Sequence, residues 1–216
     1  MVVFFRSPPR CRGFSLVELL VVLAIVAILV GLAAPSVIGT SRSLRLNATS
    51  DMLINQLNLA RQAALSNAHL VQVRFYRLPD YNQDPTSTPA VYRGVQCFIE
   101  GNPAASGSPA LTPLTKVNLF PSPIIVSTVA TPNVSPLFSA SPSTPSPTDP
   151  PLPVYGSNYT YFSFHYRPNG TTDLTSGSNS FTLVLENDGA AAVGLPANYR
   201  TIQIDPALGT ARRFSP

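Results

Sequence analysis

Residues 14–34, FSLVELLVVLAIVAILVGLAA, are apolar on every side of a helix and contain one ionisable side chain, which limits what the rest of the chain can do. At about 1.5 Å per residue a helix of that length is ~31 Å long, the thickness of a bilayer's hydrocarbon core. A helix apolar all round does not pack as a one-faced surface helix, so residues 14–34 are expected to be a transmembrane helix. The exception within the run is Glu18. A carboxylate at the middle of a membrane helix costs several kcal/mol (roughly 2.5–3.5 on insertion scales), so it normally has a partner and a function.

The charges around the run fit a targeting segment. Arg6, Arg10 and Arg12 precede it, and Arg42 and Arg45 follow it. The formal charge of the whole chain is +4, but without residues 1–13 it falls to 11 Lys and Arg against 10 Asp and Glu. The basic excess is therefore mostly in the N-terminal arm, and its slight bias favours a cytoplasmic N-terminus with the bulk of the chain outside. The residues alone leave three readings. One is a secretory signal peptide cut near Gly31-Leu32-Ala33, another an uncleaved anchor, and the third a leader cut just before the run. In the last case Cys11 leaves with the arm, and Cys97 is expected to be a small buried residue with no internal disulfide.

The string Arg12-Gly13-Phe14-Ser15-Leu16-Val17-Glu18-Leu19-Leu20 resembles the signature of type IV prepilins and type II secretion pseudopilins. That resemblance implies a leader, residues 1–13, removed by a dedicated aspartic prepilin peptidase between Gly13 and Phe14. It also implies N-methylation of Phe14. Glu18 becomes the fifth mature residue, the assembly residue that neutralises the terminal amine of a neighbouring subunit. The implied partners are the peptidase, the inner membrane, and other pilins met through the N-terminal helix, with the globular domain periplasmic. Pro35 stands where many pilins carry a helix-loosening proline, and a residue without an N–H is expected to kink the helix there.

Residues 35–68 continue the helix. Leu46, Leu53, Leu57, Ala60 and Ala64 share one helical face, which is expected to pack on a sheet. From residue 69 the period changes to two. Val71, Val73 and Phe75 alternate with Gln72, Arg74 and Tyr76, as in a half-buried strand. Further strands are expected at 91–99, 114–119, 124–129, 159–166, 181–186 and 199–204, the last strong runs. Asn169-Gly170 reads as a tight turn, and Asp205-Pro206-Ala207-Leu208-Gly209 as another. One long helix followed by short strands gives an α+β, pilin-like domain, an antiparallel sheet packed on the second half of the helix, over residues 69–216. Residues 101–113 are expected to be loop. Residues 131–153, with eight prolines, are expected to be an exposed extended insertion.

Narrower resemblances follow. Residues 57–66 are similar to the helix end of FimT-like minor pilins and H-type minor pseudopilins. Residues 164–170 and the closing Ile204-Asp205-Pro206, Gly209 and Arg212 resemble the end of H-type pseudopilins, and in combination with residues 74–80 they are similar to the Verru_Chthon cassette protein D group. These imply a minor, structural pilin-like subunit of a type IV pilus or type II secretion-like filament.

Enzymatic chemistry has little support. His69 and His165 are the only histidines, no Gly-x-Ser-x-Gly motif occurs, and no cofactor or metal is expected. Asp80-Tyr81-Asn82-Gln83-Asp84 imitates the start of a calcium loop, but Pro85 and Val91 stand where an EF-hand needs Gly and Glu. The alternative is a DNA-binding minor pilin of an uptake system. Arg212 and Arg213 are its only basic cluster, a small footprint for nucleic acid.

Overall fold

The computed structural model describes residues 14–80, 90–103, 109–129, 133–147, 149–186 and 195–216, with the side chains of 31–38, 102 and 103 outside the description. The chain forms two compact units, Met1–Arg42 and Ser43–Pro216. Helix α1 (Leu16–Asn67) begins in the first unit and ends in the second.

In the second unit α1 buries one face. Leu46, Leu53, Leu57, Ala60 and Ala64, the five residues expected there, have no solvent exposure. Thr49 and Ser50 are buried on the same helix and return their hydroxyls to the carbonyls of Arg45 and Asn47, so neither polar group is left unpaired. The helix ends where expected. Ser66 Oγ and Asn67 Nδ2 both donate to Ala63 O, and Ala68 takes the left-handed conformation (φ 54°) that closes a helix C-terminus.

The strands form two antiparallel sheets, where the sequence suggested one. Sheet A contains β1 (Val71–Leu78), β2 (Val91–Pro103), β3 (Pro109–Pro113), β4 (Asn118–Leu119) and β6 (Thr160–Tyr166). Its order is β3-β2-β1-β6, with β4 also paired to β2. Sheet B contains β5 (Ile124–Val126), β7 (Ser180–Leu185), β8 (Arg200–Ile204) and β9 (Ala211–Phe214), in the order β5-β7-β8-β9. The buried face of α1, the Val71-Val73-Phe75 face of sheet A and Phe181, Leu183, Ile202 and Ile204 of sheet B make one core.

Two expected loops are built structure. Part of 101–113 is strand: β2 runs on to Pro103, and β3 pairs with it through Phe98↔Pro113 and Glu100↔Leu111. Prolines at both ends of β3 are tolerated because it lies at the sheet edge, where an absent N–H breaks no ladder. The expected strand at 114–119 shrinks to β4 at its end, and Leu114 to Val117 bulge between β3 and β4 along the same edge of β2, with the N–H groups of Leu114 and Thr115 both donating to Cys97 O.

The larger correction concerns residues 131–153, whose described parts, 133–147 and 149–153, act as a strap. A 3-10 turn, Pro136–Phe138, buries Leu137 and sets the Phe138 ring among Phe75, Tyr92, Phe162 and Phe181, at centroid distances of 4.3–5.6 Å. Further on, Ser143 bridges to Tyr161 on the edge of β6, and Leu152 is buried in a second cluster with Tyr76, Leu78, Tyr159 and Tyr161. One part of the strap enters the main core and the other covers the outer face of sheet A. For that reason Gln72, Arg74 and Tyr76, whose alternation suggested a solvent face, are buried. Proline suits such a strap because its fixed φ lowers the entropy lost on ordering an extended segment.

The turns after β6 and β8, with side chains of β8 and β9, secure the helix. Gly170 takes φ 82° after a turn closed by its N–H to Arg167 O at 2.8 Å, and its carbonyl accepts from Arg61 Nε of α1 at 3.2 Å. Gly209 (φ 63°) lies so close that a Cβ would stand 2.0 Å from Gly170 O, so no other residue fits there. Arg200 Nε donates to Asn47 Oδ1 at 2.7 Å, and Arg213 pairs with Asp51 and donates to Ser50 Oγ.

Candidate functional site

Of the processing site, Gly13 lies outside the described residues. Phe14 and Ser15 are non-helical, and α1 opens with the Leu19 N–H donating to Ser15 O at 3.1 Å. Glu18 is thereby in the first turn, where unpaired amides give the helix a positive end and a carboxylate gains ~0.3–1 kcal/mol. An amine released at Phe14 would stand four residues ahead of it, about one turn away. Among the described residues no cation pairs with Glu18.

Every described side chain from 14 to 30 is exposed, Phe14 by 78% and Leu16 by 77%. A continuous apolar surface of this kind requires lipid or a protein partner. Among the described residues no helix is long and apolar enough to cross a membrane. The described side chains of the apolar run stop at residue 30. Those of 31–34, which complete the expected span, lie outside the description. So does Pro35 with its expected kink, although the backbone is helical through it.

The globular unit holds three polar constellations that sequence reasoning did not assemble. The first centres on Arg93, which grips both carboxylate oxygens of Glu186 and reaches Asp80 Oδ2 at 3.6 Å. Asp80, the first residue of the calcium-like string, is thus committed to an arginine, and residues 81–84 lie outside the description.

The second centres on Arg74. Its guanidinium is sandwiched between the rings of Phe98 and Tyr161, 5.0 and 4.3 Å from their centroids. It pairs with Asp149 of the strap at 3.0 Å and donates to Gln72 Oε1. Tyr76 beside it donates to Gln96 Oε1 at 2.8 Å, and burial raises its phenol well above the ordinary range despite the nearby guanidinium.

The third centres on His165. Nδ1 lies 2.6 Å from Asp173 Oδ2, and Nε2 lies 3.1 Å from both Glu100 Oε1 and Gln72 Nε2. Burial opposes charge on this ring, but hydrogen bonds to Asp173 and Glu100 outweigh it and push the pKa up from 6.5 to about 9. Burial would raise the Asp173 carboxyl, yet its bonds to His165 hold it below its ordinary 3.8. A raised histidine contributes stability fully below its unfolded value and loses it as pH rises through the folded value. A depressed carboxyl contributes above its unfolded value and loses it as pH falls. Relative to His165→Asn, the parent is therefore expected to gain most between about pH 4 and 6.5 and to lose that advantage by about pH 10. Urea midpoints of the two proteins across that range check this; a constant difference would refute it.

His69 is exposed in the turn after α1, and Cys97 is buried, with its thiol pushed up to about 12 by burial. Among the described residues no group of His, Cys, Asp and Glu is placed to hold a metal ion. Glu100 and Asp173 face opposite nitrogens of one ring and do not converge. The one signal for the second and third constellations in the sequence is the period-two alternation of Gln72, Arg74 and Tyr76 with Gln96, Phe98 and Glu100 and with Tyr161, Ser163 and His165. The register places those three rows side by side on one face.

Residues 8–34 match the family model described as the prokaryotic N-terminal methylation motif, which is the type IV prepilin-like signal. The motif supports a pilin-like precursor processed by prepilin peptidase and assembling with other pilins. No curated protein and no solved structure matches the chain.

Proposed function

We propose that this prepilin-like chain is a minor pilin-like (pseudopilin) structural subunit. Prepilin peptidase cuts it between Gly13 and Phe14 and methylates the new amine. The mature chain is held in the inner membrane by a single helix, N-terminus cytoplasmic and β-domain periplasmic. From there it is drawn into a type IV pilus or type II secretion-like filament, with Glu18 as the assembly residue. The reading rests on one coincidence. The methylation motif ends in an apolar stretch of α1, exposed over residues 14–30, whose lone carboxylate, Glu18, lies in the first turn, and the helix leads into an α+β domain of pilin-like order.

Intact-mass measurement of the chain extracted from membranes tests the processing. The expected mass begins at Phe14 and carries one extra methyl group. A chain still beginning at Met1, or one beginning near Ala34, would overturn the assignment.

No catalytic role is proposed. In support, Cys97 is buried and both nitrogens of His165 are engaged by side chains of the protein itself. The alternative, a DNA-binding minor pilin, has less to work with than the sequence offered, because Arg213 is tied to Asp51 and Ser50 of α1 and Arg212 stands as the remaining terminal cation. One cation gives almost no counterion release, the main source of non-specific affinity for nucleic acid.

A further inference from the structure

The outer face of sheet A sets two groups with opposite requirements against one nitrogen of His165. The other nitrogen is settled. Asp173 Oδ2 faces Nδ1 at 2.6 Å, while its second oxygen accepts the His165 backbone N–H at 2.8 Å. An ionised carboxylate only accepts, so Nδ1 keeps a proton. At Nε2 the case differs. Glu100 Oε1, 3.1 Å away, needs a proton there. Gln72 Nε2, also 3.1 Å away, has its orientation dictated by Arg74, because a guanidinium only donates and Arg74 Nε gives its hydrogen to Gln72 Oε1. The amide therefore turns its NH2 to the ring and needs a lone pair on Nε2. Both requirements cannot be met at once.

We propose that His165 is a proton-operated exchange switch, bound through Nε2 to Glu100 when protonated and to Gln72 when that proton is lost. Glu100, from β2, and Asp173, from the connection after β6, are the charged groups that face the ring. β1 presents the neutral Gln72, which leads through Arg74 to Asp149 of the strap. In the protonated state the ring bridges two carboxylates from separate segments. Loss of the Nε2 proton leaves Glu100, at the base of the β2–β3 pair, facing a lone pair, so it must turn away. The same event closes an unbroken line of hydrogen bonds from Asp173 to Asp149. The protonated state is the resting one, because Asp173 and Glu100 overcome the effect of burial. Alkaline medium throws the switch. This inference concerns the β-domain alone and stands whether or not the chain enters a filament.

The test uses the full mature chain in detergent micelles with isotope-labelled histidine, followed by long-range proton–nitrogen spectra from about pH 5 to 11. The proton that leaves His165 is expected to come from Nε2, with Nδ1 protonated throughout, and the midpoint to lie at least about one unit above that of free imidazole. Glu100→Gln should lower the proton affinity at least about tenfold. Gln72→Met, which removes the donor that stabilises the neutral ring, should raise it roughly two- to tenfold. Loss of the proton from Nδ1, or a wild-type midpoint at or below that of free imidazole, would overturn the proposal without recourse to any variant. An unmoved midpoint in Glu100→Gln, or an unmoved or lowered one in Gln72→Met, would reduce the cluster to a plain ion pair.

Discussion

Glu18→Ala is expected to be cut and methylated as the parent is, yet to be at least about tenfold poorer in sheared filaments relative to membranes. The two halves of that expectation have different physical sources. Cleavage needs the local string around Gly13 and Phe14, which the substitution leaves intact. Anchoring should not suffer, since removing a carboxylate from an apolar helix lowers its insertion cost, though by less in the first turn than the roughly 2.5–3.5 kcal/mol a charge costs at the helix centre. A drop in filament recovery then cannot be blamed on a chain lost from the membrane. What the variant lacks is a negative charge in the first turn, the one group there that can neutralise a neighbour's terminal amine inside an apolar filament interior. Glu18→Gln keeps the shape without the charge and should fail to the same degree. If either variant enters filaments at the parent's level, the assembly role is wrong, even with processing confirmed.

The methylation motif over residues 8–34 was legible because such a signal is linear, a contiguous string in the sequence. The helix was legible for a related reason. Leu46, Leu53, Leu57, Ala60 and Ala64 repeat with the period of the element that carries them, and no Gly or Pro interrupts them. Most strands followed from alternation. The misses share one cause, a partner far away in sequence. β3 shows no alternation of its own and exists because the edge of β2 offers a ladder. The burial of Arg74 depends on Asp149, 75 residues later, and that of Gln72 partly on His165, 93 residues later. Composition could not show that residues 131–153 are built in, because proline-rich polar segments are usually solvated. Phe138 and Asp149, two of the residues that fix the strap, are single positions in it.

The strap carries the second large effect. Asp149→Ala is expected to destabilise the β-domain by about 3–5 kcal/mol, lowering its melting temperature by roughly 10 °C for a chain of this size. Arg74 is 3% exposed, and among the described residues its Nη1 has no hydrogen-bond partner and Asp149 is the only anion paired with it. Removing Asp149 leaves a buried guanidinium without a counter-charge, whereas deleting an exposed aspartate from a mobile loop would change stability by less than about 0.5 kcal/mol. The flanking rings of Phe98 and Tyr161 soften the penalty but do not cancel it, since a cation–π contact is worth about 0.5–2 kcal/mol. Adding Arg74→Met to Asp149→Ala should recover most of the loss, because a thioether lies between two rings with no charge to desolvate. Such recovery would place the cost in the orphaned charge and not in a general loosening of the strap. A melting temperature unchanged by Asp149→Ala would show that residues 131–153 are a passive insertion after all, and the buried outer face of sheet A would then need another account.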